Sequence, residues 1–310
     1  MATKSLSSSQ VSGANQWLAW WRGRQAEPLY FLLPTILPLL VLTLYPFLRS
    51  IWLAFTGYDL YKKDSSFIGL RNFIALLGDD PLFWLALRNT IAWTILIVGI
   101  SYLLGLMTAL ALNERIWFRT LFRGIALIPW VCPAVVAGIT WRWIYEPNFG
   151  PLVYYLQQWG LLERKMSFLA SKETALYAAV VMAVWKLLPF MVVMLLAGLQ
   201  AVPDEYYEAA AIDGASAWTR FRYITFPLVN RVGSIAFLLS TIWAFNHFDS
   251  MYTLTGGGPA NATMLLSQFA YENAFRYFQV GYASAIGVMM LIVLATPITL
   301  YIRQIFRDTE

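Results

Sequence analysis

The residues able to do chemistry in this chain are few, and most lie in two apolar stretches. "VWKLLPF" carries Lys186, and "STIWAFNHFDSMYTLT" carries Ser240, Trp243, Asn246, His247 and Asp249, with Tyr252 beyond them. Ionisable groups are expensive to place in lipid, so those inside apolar segments are functional candidates by default. Flat aromatic faces beside converging hydrogen-bonding groups suit a polyhydroxyl ligand such as a sugar. Each ionisable residue also has a plainer reading. His247 is readable as a hydrogen-bonded helix histidine, and Asp249 as the partner of a neighbour near the membrane surface. Lys186 is readable as a snorkelling side chain or a donor to a carbonyl. Pro189 follows Lys186 closely and can distort the helix there, freeing backbone carbonyls.

Catalysis finds little to work with. One cysteine, Cys132, and one histidine are present. An internal disulfide, a cysteine-based metal site and a paired-histidine motif are therefore excluded, and no metal site is expected. No nucleophile–base motif occurs. No G-x-x-x-x-G-K-[ST] phosphate loop occurs either, so the chain is expected to bind neither ATP nor another cofactor.

The elements that position these residues must be membrane helices. The 310 residues are 59% hydrophobic and 13% charged, and a soluble domain carries about twice that charge. The net charge of +5 fits loops at the inner membrane face better than nucleic-acid binding. A spanning helix needs about 20 apolar residues. Six segments meet that length, near 29–55, 90–112, 121–145, 175–199, 228–254 and 282–305. The first holds Pro34, Pro38 and Pro46 and is expected to be kinked. Residues 1–28 are polar without an apolar core, which predicts a cytoplasmic tail rather than a cleavable signal. Within it, Trp17 to Trp21 with Arg22 and Arg24 suit the membrane interface. "WRWIYEP" at 141–147 reads as an interfacial aromatic belt.

The arginines give a direction. Arg115, Arg119 and Arg123 follow the second segment, Arg220, Arg222 and Arg231 lie between the fourth and fifth, and Arg303 and Arg307 come last. The positive-inside rule puts these ends, and both termini, in the cytoplasm. Lys62, Lys63, Arg164, Lys165 and Lys172 fall in the opposite loops, which are longer and weigh less. The expectation is an all-α polytopic membrane protein with a cytoplasmic loop at 200–227.

That loop contains "EYYEAAAIDGASAWTRFRYITFPLV", Glu205 to Val229. Asp204 is a plausible N-cap, with Glu205 and Glu208 in the first turn where acids complement the helix dipole. Tyr207, Ala210, Ala211 and Gly214 share one small, flat face. Gly214 can end the helix in a left-handed conformation. A second short helix near Ala217–Ile224 can follow, and Pro227 suits the start of the next span. Such a hairpin either packs on its own protein or presents a helix to a soluble partner's groove.

The same stretch resembles the "EAA" loop of permease subunits from binding-protein-dependent ABC importers. The family pattern is E-A-A, three residues, G, nine residues, I, one residue, L-P. Here Glu208, Ala209 and Ala210 are followed by Gly214, Ile224, Phe226 and Pro227, with Phe226 the one departure. "AGLQAVP" at 197–203, "LTGGGP" at 254–259 and "FIGLRNF" at 67–73 are similar to the carbohydrate-uptake branch and to its maltose-permease larger-subunit type. This resemblance implies a type I importer fold. It also implies a complex of two permeases forming a heterodimer, two cytoplasmic ATPases that hold ATP and Mg, and an external sugar-binding protein, all at a bacterial inner membrane. It assigns ATPase coupling to Glu208, Ala209, Ala210, Asp213, Gly214, Ile224 and Pro227. Landmark alignment implies sugar-pocket positions at Lys186, Leu187 and Phe190 and at Ser240, Trp243, His247 and Asp249, with Asn246 a further polar option. Gly256, Gly257, Gly258 and Pro259 read as an outer turn, placed by the resemblance near the binding-protein contact.

Two other functions compete. A stand-alone ion-coupled transporter calls for paired carboxylates or broken helices in related halves; the spans hold few acids. A membrane-embedded enzyme lacks catalytic groups. Lys186 and His247 are compatible with an anionic sugar, although Asp249 offsets part of that charge.

Overall fold

A computed structural model describes residues 27–62, 66–114 and 117–307. Residues 1–26 of the expected tail, together with Lys63 and Arg115, lie outside them. The chain divides into two compact units, Met1–Leu53 and Ala54–Glu310.

In the first unit, α1 (Glu27–Leu39) and α2 (Tyr45–Leu53) are joined by a π-helical turn, Leu40–Leu44. Pro46 cannot donate the usual bond back to Leu42, and the widened turn just before it absorbs that loss. The proline irregularity therefore appears as a π turn inside one apolar helix. Phe31–Leu53 is long and apolar enough to cross a membrane.

The second unit is built on α4 (Pro81–Asn113) and α8 (Ala175–Gln200). They run in the same direction. Trp93 and Ile97 pack with Ala178–Val184, and Leu106 and Ala109 pack with Met191, Leu195 and Leu199. The two helices approach closely at Gly105, where an added Cβ would stand 2.9 Å from the Met191 Cβ. The helix α4 begins nine residues before the expected start at 90. Asp80 caps it, accepting from the Leu82 and Phe83 amides at 2.9 and 3.3 Å, and Pro81 occupies the first turn. The Tyr282 hydroxyl donates to the other Asp80 oxygen at 2.7 Å, fixing the start of α14 (Val280–Arg307). Upstream, α3 (Arg71–Gly78) is held by Asn72, which donates to the Ala54 and Thr56 carbonyls at 2.8 and 2.9 Å. This is the work of the "FIGLRNF" stretch, whose Phe67 also forms an antiparallel bridge with Thr56.

Two expected spans are broken. Segment 121–145 is α5 (Arg119–Val131) and α6 (Ala134–Ile144), bent by 96° at Cys132–Pro133. A proline disfavours helix at the residue before it, and Cys132 is extended at φ −60°, ψ 126°. Segment 228–254 does not continue to its expected end. It is α11 (Phe226–Phe245), which stops at Asn246, followed by a separate α12 (Asp249–Leu254). The described residues thus hold five helices able to cross a membrane, or six with the bent pair taken as one span. The remaining elements are α7 (Pro151–Gln158), the loop helices α9 (Asp204–Ile212) and α10 (Ala217–Arg220), and α13 (Leu266–Tyr271). Of the "WRWIYEP" residues, Trp143 is exposed. Tyr145 instead turns into the core, and its hydroxyl donates to the Ala178 carbonyl at 2.9 Å. Trp141 packs against Trp185. An interfacial role therefore fits Trp143 alone of these three.

Candidate functional site

Both breaks fall beside one cavity. It measures about 150 Å³ and is lined by Trp130, Lys186, Leu187, Trp243 and His247, together with Ile97, Ala183 and Ala244. Lys186 lies near the middle of α8 and donates from Nζ to the carbonyl of Cys132. That carbonyl sits in the break between α5 and α6. Pro133 has no N–H to offer, and the last carbonyls of any helix lack intrahelical partners. In lipid such a group must be satisfied by protein. Lys186 does this, as the plainer reading allowed, while its side chain lines the cavity.

His247 lies in the second break. Its Nε2 is 2.6 Å from the Ser250 hydroxyl, its ring centroid is 5.3 Å from that of Trp93, and Ser267 donates to its carbonyl at 2.5 Å. Trp93 also donates from Nε1 to Ala244 at 3.1 Å, which ties α4 to the last turn of α11. Behind the lining, Phe190 packs edge-on against Trp243 at 4.8 Å and in a tilted contact against Trp130 at 6.2 Å. Phe190 thus buttresses the two indoles rather than lining the space.

Besides Phe190, three expected pathway residues do not line this cavity. Ser240 is fully buried, and its hydroxyl has no partner among the described residues. Asn246 donates to the Ile242 carbonyl at 2.9 Å and is exposed at the end of α11. Asp249 is exposed as the first residue of α12. The helix breaks at Asn246, so these positions do not follow one helical face. Sequence reasoning missed Trp130, Ile97, Ala183 and Ala244. Trp130 was findable, because it directly precedes the Val-Cys-Pro helix stop.

The helix α12 is held against α6 by Gly138. A Cβ there would stand 1.9 Å from the Thr253 hydroxyl and 2.8 Å from the Ser250 carbonyl. Past α12, the "TGGGP" segment is a closed turn. Gly256 and Gly257 have φ of +58° and +86°, where glycine is unstrained. Gly258 does not have positive φ; Ala260 and Asn261 do. Thr263 donates from its hydroxyl to the Gly258 carbonyl at 2.6 Å. Asn89 of α4 donates to the Ala262 and Met264 carbonyls at 3.1 and 3.2 Å.

The loop at 200–227 is largely helical. Pro203, not Asp204, occupies the N-cap of α9, and Asp204 and Glu205 form its acidic first turn. Glu208 lies one turn further on. The helix closes as the sequence indicates. Gly214 has φ +74°, its amide donates to Ala211, and the Ala215 amide donates to Ala210 at 2.9 Å, a paired closure at a left-handed residue. Ser216 then caps α10, accepting from the Thr219 amide at 3.2 Å. A π-helical turn, Phe221–Thr225, holds Ile224 half-buried and leads into α11 with Pro227 in its first turn.

The expected flat face of α9 points partly inward. The Tyr207 hydroxyl bonds that of Thr225 at 3.0 Å, and Ala210 is half-buried. The outward stripe is instead Glu205, Glu208, Ala209 and Ile212, spaced i, i+3, i+4 and i+7. Ile212 is 87% exposed, and Trp218 and Tyr223 later in the loop are 71% and 74% exposed. The sequence reading did not single out these three. From Ala217 to Phe245 the helical path is 29 residues long, about 44 Å, and so joins the loop to Trp243.

Comparisons with known proteins agree with this architecture. The chain is 36% identical over 281 residues to the trehalose/maltose transport system permease protein MalF of Thermococcus litoralis, covering 90% of this chain and 94% of that one. It is 36% identical over 258 residues to the trehalose transport system permease protein SugA of Mycobacterium tuberculosis, covering 83% and 81%. Its fold superposes on a chain of a bacterial ABC transporter involved in importing the acidic polysaccharide alginate, with a TM-score of 0.81, 20% identity and coverage of 96% and 100%. Residues 101–309 match the family model of the binding-protein-dependent transport system inner membrane component. The chain belongs to that family of membrane permeases.

Proposed function

We propose that this chain is the membrane-spanning permease subunit of an ATP-driven importer for a sugar or small oligosaccharide. The observation that carries this reading is the convergence of Trp130, Trp243, Lys186 and His247 on one cavity beside two helix breaks. Indole faces and polar groups together suit a sugar ring, and the named relatives carry trehalose or maltose. The cavity of about 150 Å³ is below the ~300 Å³ at which ligand pockets begin. A second permease subunit supplies the rest of the path, and an external binding protein delivers the sugar.

The chain hydrolyses no ATP. The outward stripe of α9, with Glu208 at its centre, docks in a groove of a separate cytoplasmic ATPase that holds ATP and Mg, and Gly214 shapes the turn behind it. This is helix-in-groove recognition. Closure of the ATPase moves α9, and the continuous helix from Ala217 to Phe245 passes the motion to Trp243. The transition is a rigid-body switch between inward and outward openings. It requires ATP to bind the two states with different affinity. The loop and both termini lie in the cytoplasm, and the "TGGGP" turn lies on the outer side towards the binding protein. Family membership leaves a stand-alone ion-coupled transporter without an observation in its favour.

The test is uptake of labelled trehalose and maltose by the reconstituted transporter carrying Trp243→Ala or His247→Ala. Both variants should assemble normally and lose most uptake. Normal uptake by both variants would show that the sugar takes another path.

A further inference from the structure

A second cavity lies between the end of α4, the middle of α5 and the loop-side half of α8. It measures about 290 Å³, and its walls are apolar apart from Arg123 and Gln200. Arg123 donates from one terminal nitrogen to the Leu112 carbonyl at 3.2 Å. Its Nε is buried and has no partner among the described residues. A guanidinium carries five N–H donors in a planar fork, so this one is anchored with donors to spare. The open side follows the exposed stripe Val193, Ala197 and Gln200 of α8.

The dimensions are informative. The cavity reaches along α8 from Gln200 to Pro189, a rise of about 16 Å. That is close to half of the ~30 Å hydrocarbon core. The cleft is thus a cation at one membrane face above an apolar trough one leaflet deep. A volume of about 290 Å³ spread over that length leaves a cross-section narrower than a protein helix, about 10 Å across. A sugar would find no aromatic face among its walls. Guanidinium pairs with phosphate through two parallel hydrogen bonds, and basic pockets between membrane helices suit anionic headgroups.

We propose that this cleft binds one anionic phospholipid. Its phosphodiester rests on Arg123, and an acyl chain lies along α8 towards Pro189. A free phosphate would satisfy the guanidinium but leave the trough unfilled.

The test uses the intact transporter, purified in mild detergent and weighed by native mass spectrometry. Wild type should retain one more phosphatidylglycerol than Arg123→Gln. Ala197→Trp, which keeps the guanidinium and fills the trough, should lose the same lipid. After delipidation, wild type should rebind phosphatidylglycerol over phosphatidylcholine by about fivefold, the scale of one basic residue beside an anionic lipid, because the choline ammonium offsets the phosphodiester charge that both lipids carry. Arg123→Gln should reduce that preference to near unity. Equal lipid retention by all three proteins would overturn the proposal. So would displacement of the lipid by millimolar inorganic phosphate, which would make the site one for a free anion.

Discussion

The Lys186 ammonium donates to the Cys132 carbonyl, and so the middle of α8 is pinned to the break between α5 and α6. One residue both satisfies a broken helix and lines the cavity. A substrate hydroxyl competing for that ammonium would act directly on the break.

Replacing Lys186 should therefore affect stability as well as transport. Lys186→Met leaves the Cys132 carbonyl unpaired, which should cost about 1–3 kcal/mol. Thermal unfolding of the purified transporter measures it. Lys186→Arg keeps a donor and should lose less. A methionine variant as stable as wild type would show that the contact contributes nothing.

Gly138→Ala should push α12 away from α6, because the new methyl meets both Thr253 and the Ser250 backbone. Overpacking of this kind costs about 1–3 kcal/mol. Thr253→Ala removes only the nearer clash and should rescue the variant partly. Complete rescue would mean that the Ser250 carbonyl is not a constraint.

Gly214→Ala isolates backbone strain, since nothing lies within 4 Å of a Cβ at that position. A left-handed alanine costs about 1–2 kcal/mol, whereas asparagine tolerates the conformation better. The ratio of sugar transported to ATP hydrolysed should fall for alanine and less for asparagine. If both match wild type, the left-handed turn does not matter to coupling.

Asn89→Leu should loosen the glycine turn, since it deletes both side-chain bonds to Ala262 and Met264. Hydrogen exchange at residues 256–264 should accelerate while α8 stays protected. Unchanged exchange would show that the turn holds itself together.

Much of this was readable from residue order. Hydropathy located the spans, and Gly214 and Pro227 marked the loop's turns because each obeys a local backbone rule. "Asp-Pro" at 80–81 was also a legible helix start, but Arg88 interrupted the apolar window and hid the first nine residues of α4. Pro133 signalled a stop, whereas the 96° bend depends on what packs against it. The break at Asn246 had no proline to announce it. It is fixed by tertiary contacts, including the bond from Ser267 to the His247 carbonyl, which lies twenty residues further along the chain. That break separated Asp249 from the helical face on which it was expected. The facing of α9 was hidden for a similar reason, since Tyr207 is turned inward by Thr225.

In the proposed mechanism a separate ATPase drives this chain through the exposed stripe of α9. The most direct measurement is the amount of ATPase subunit co-purifying with Glu208→Lys, taken together with ATP-driven sugar uptake by the same preparation. The variant permease should be inserted and folded, with ATPase binding and uptake both largely lost. Wild-type levels of both would contradict this mechanism.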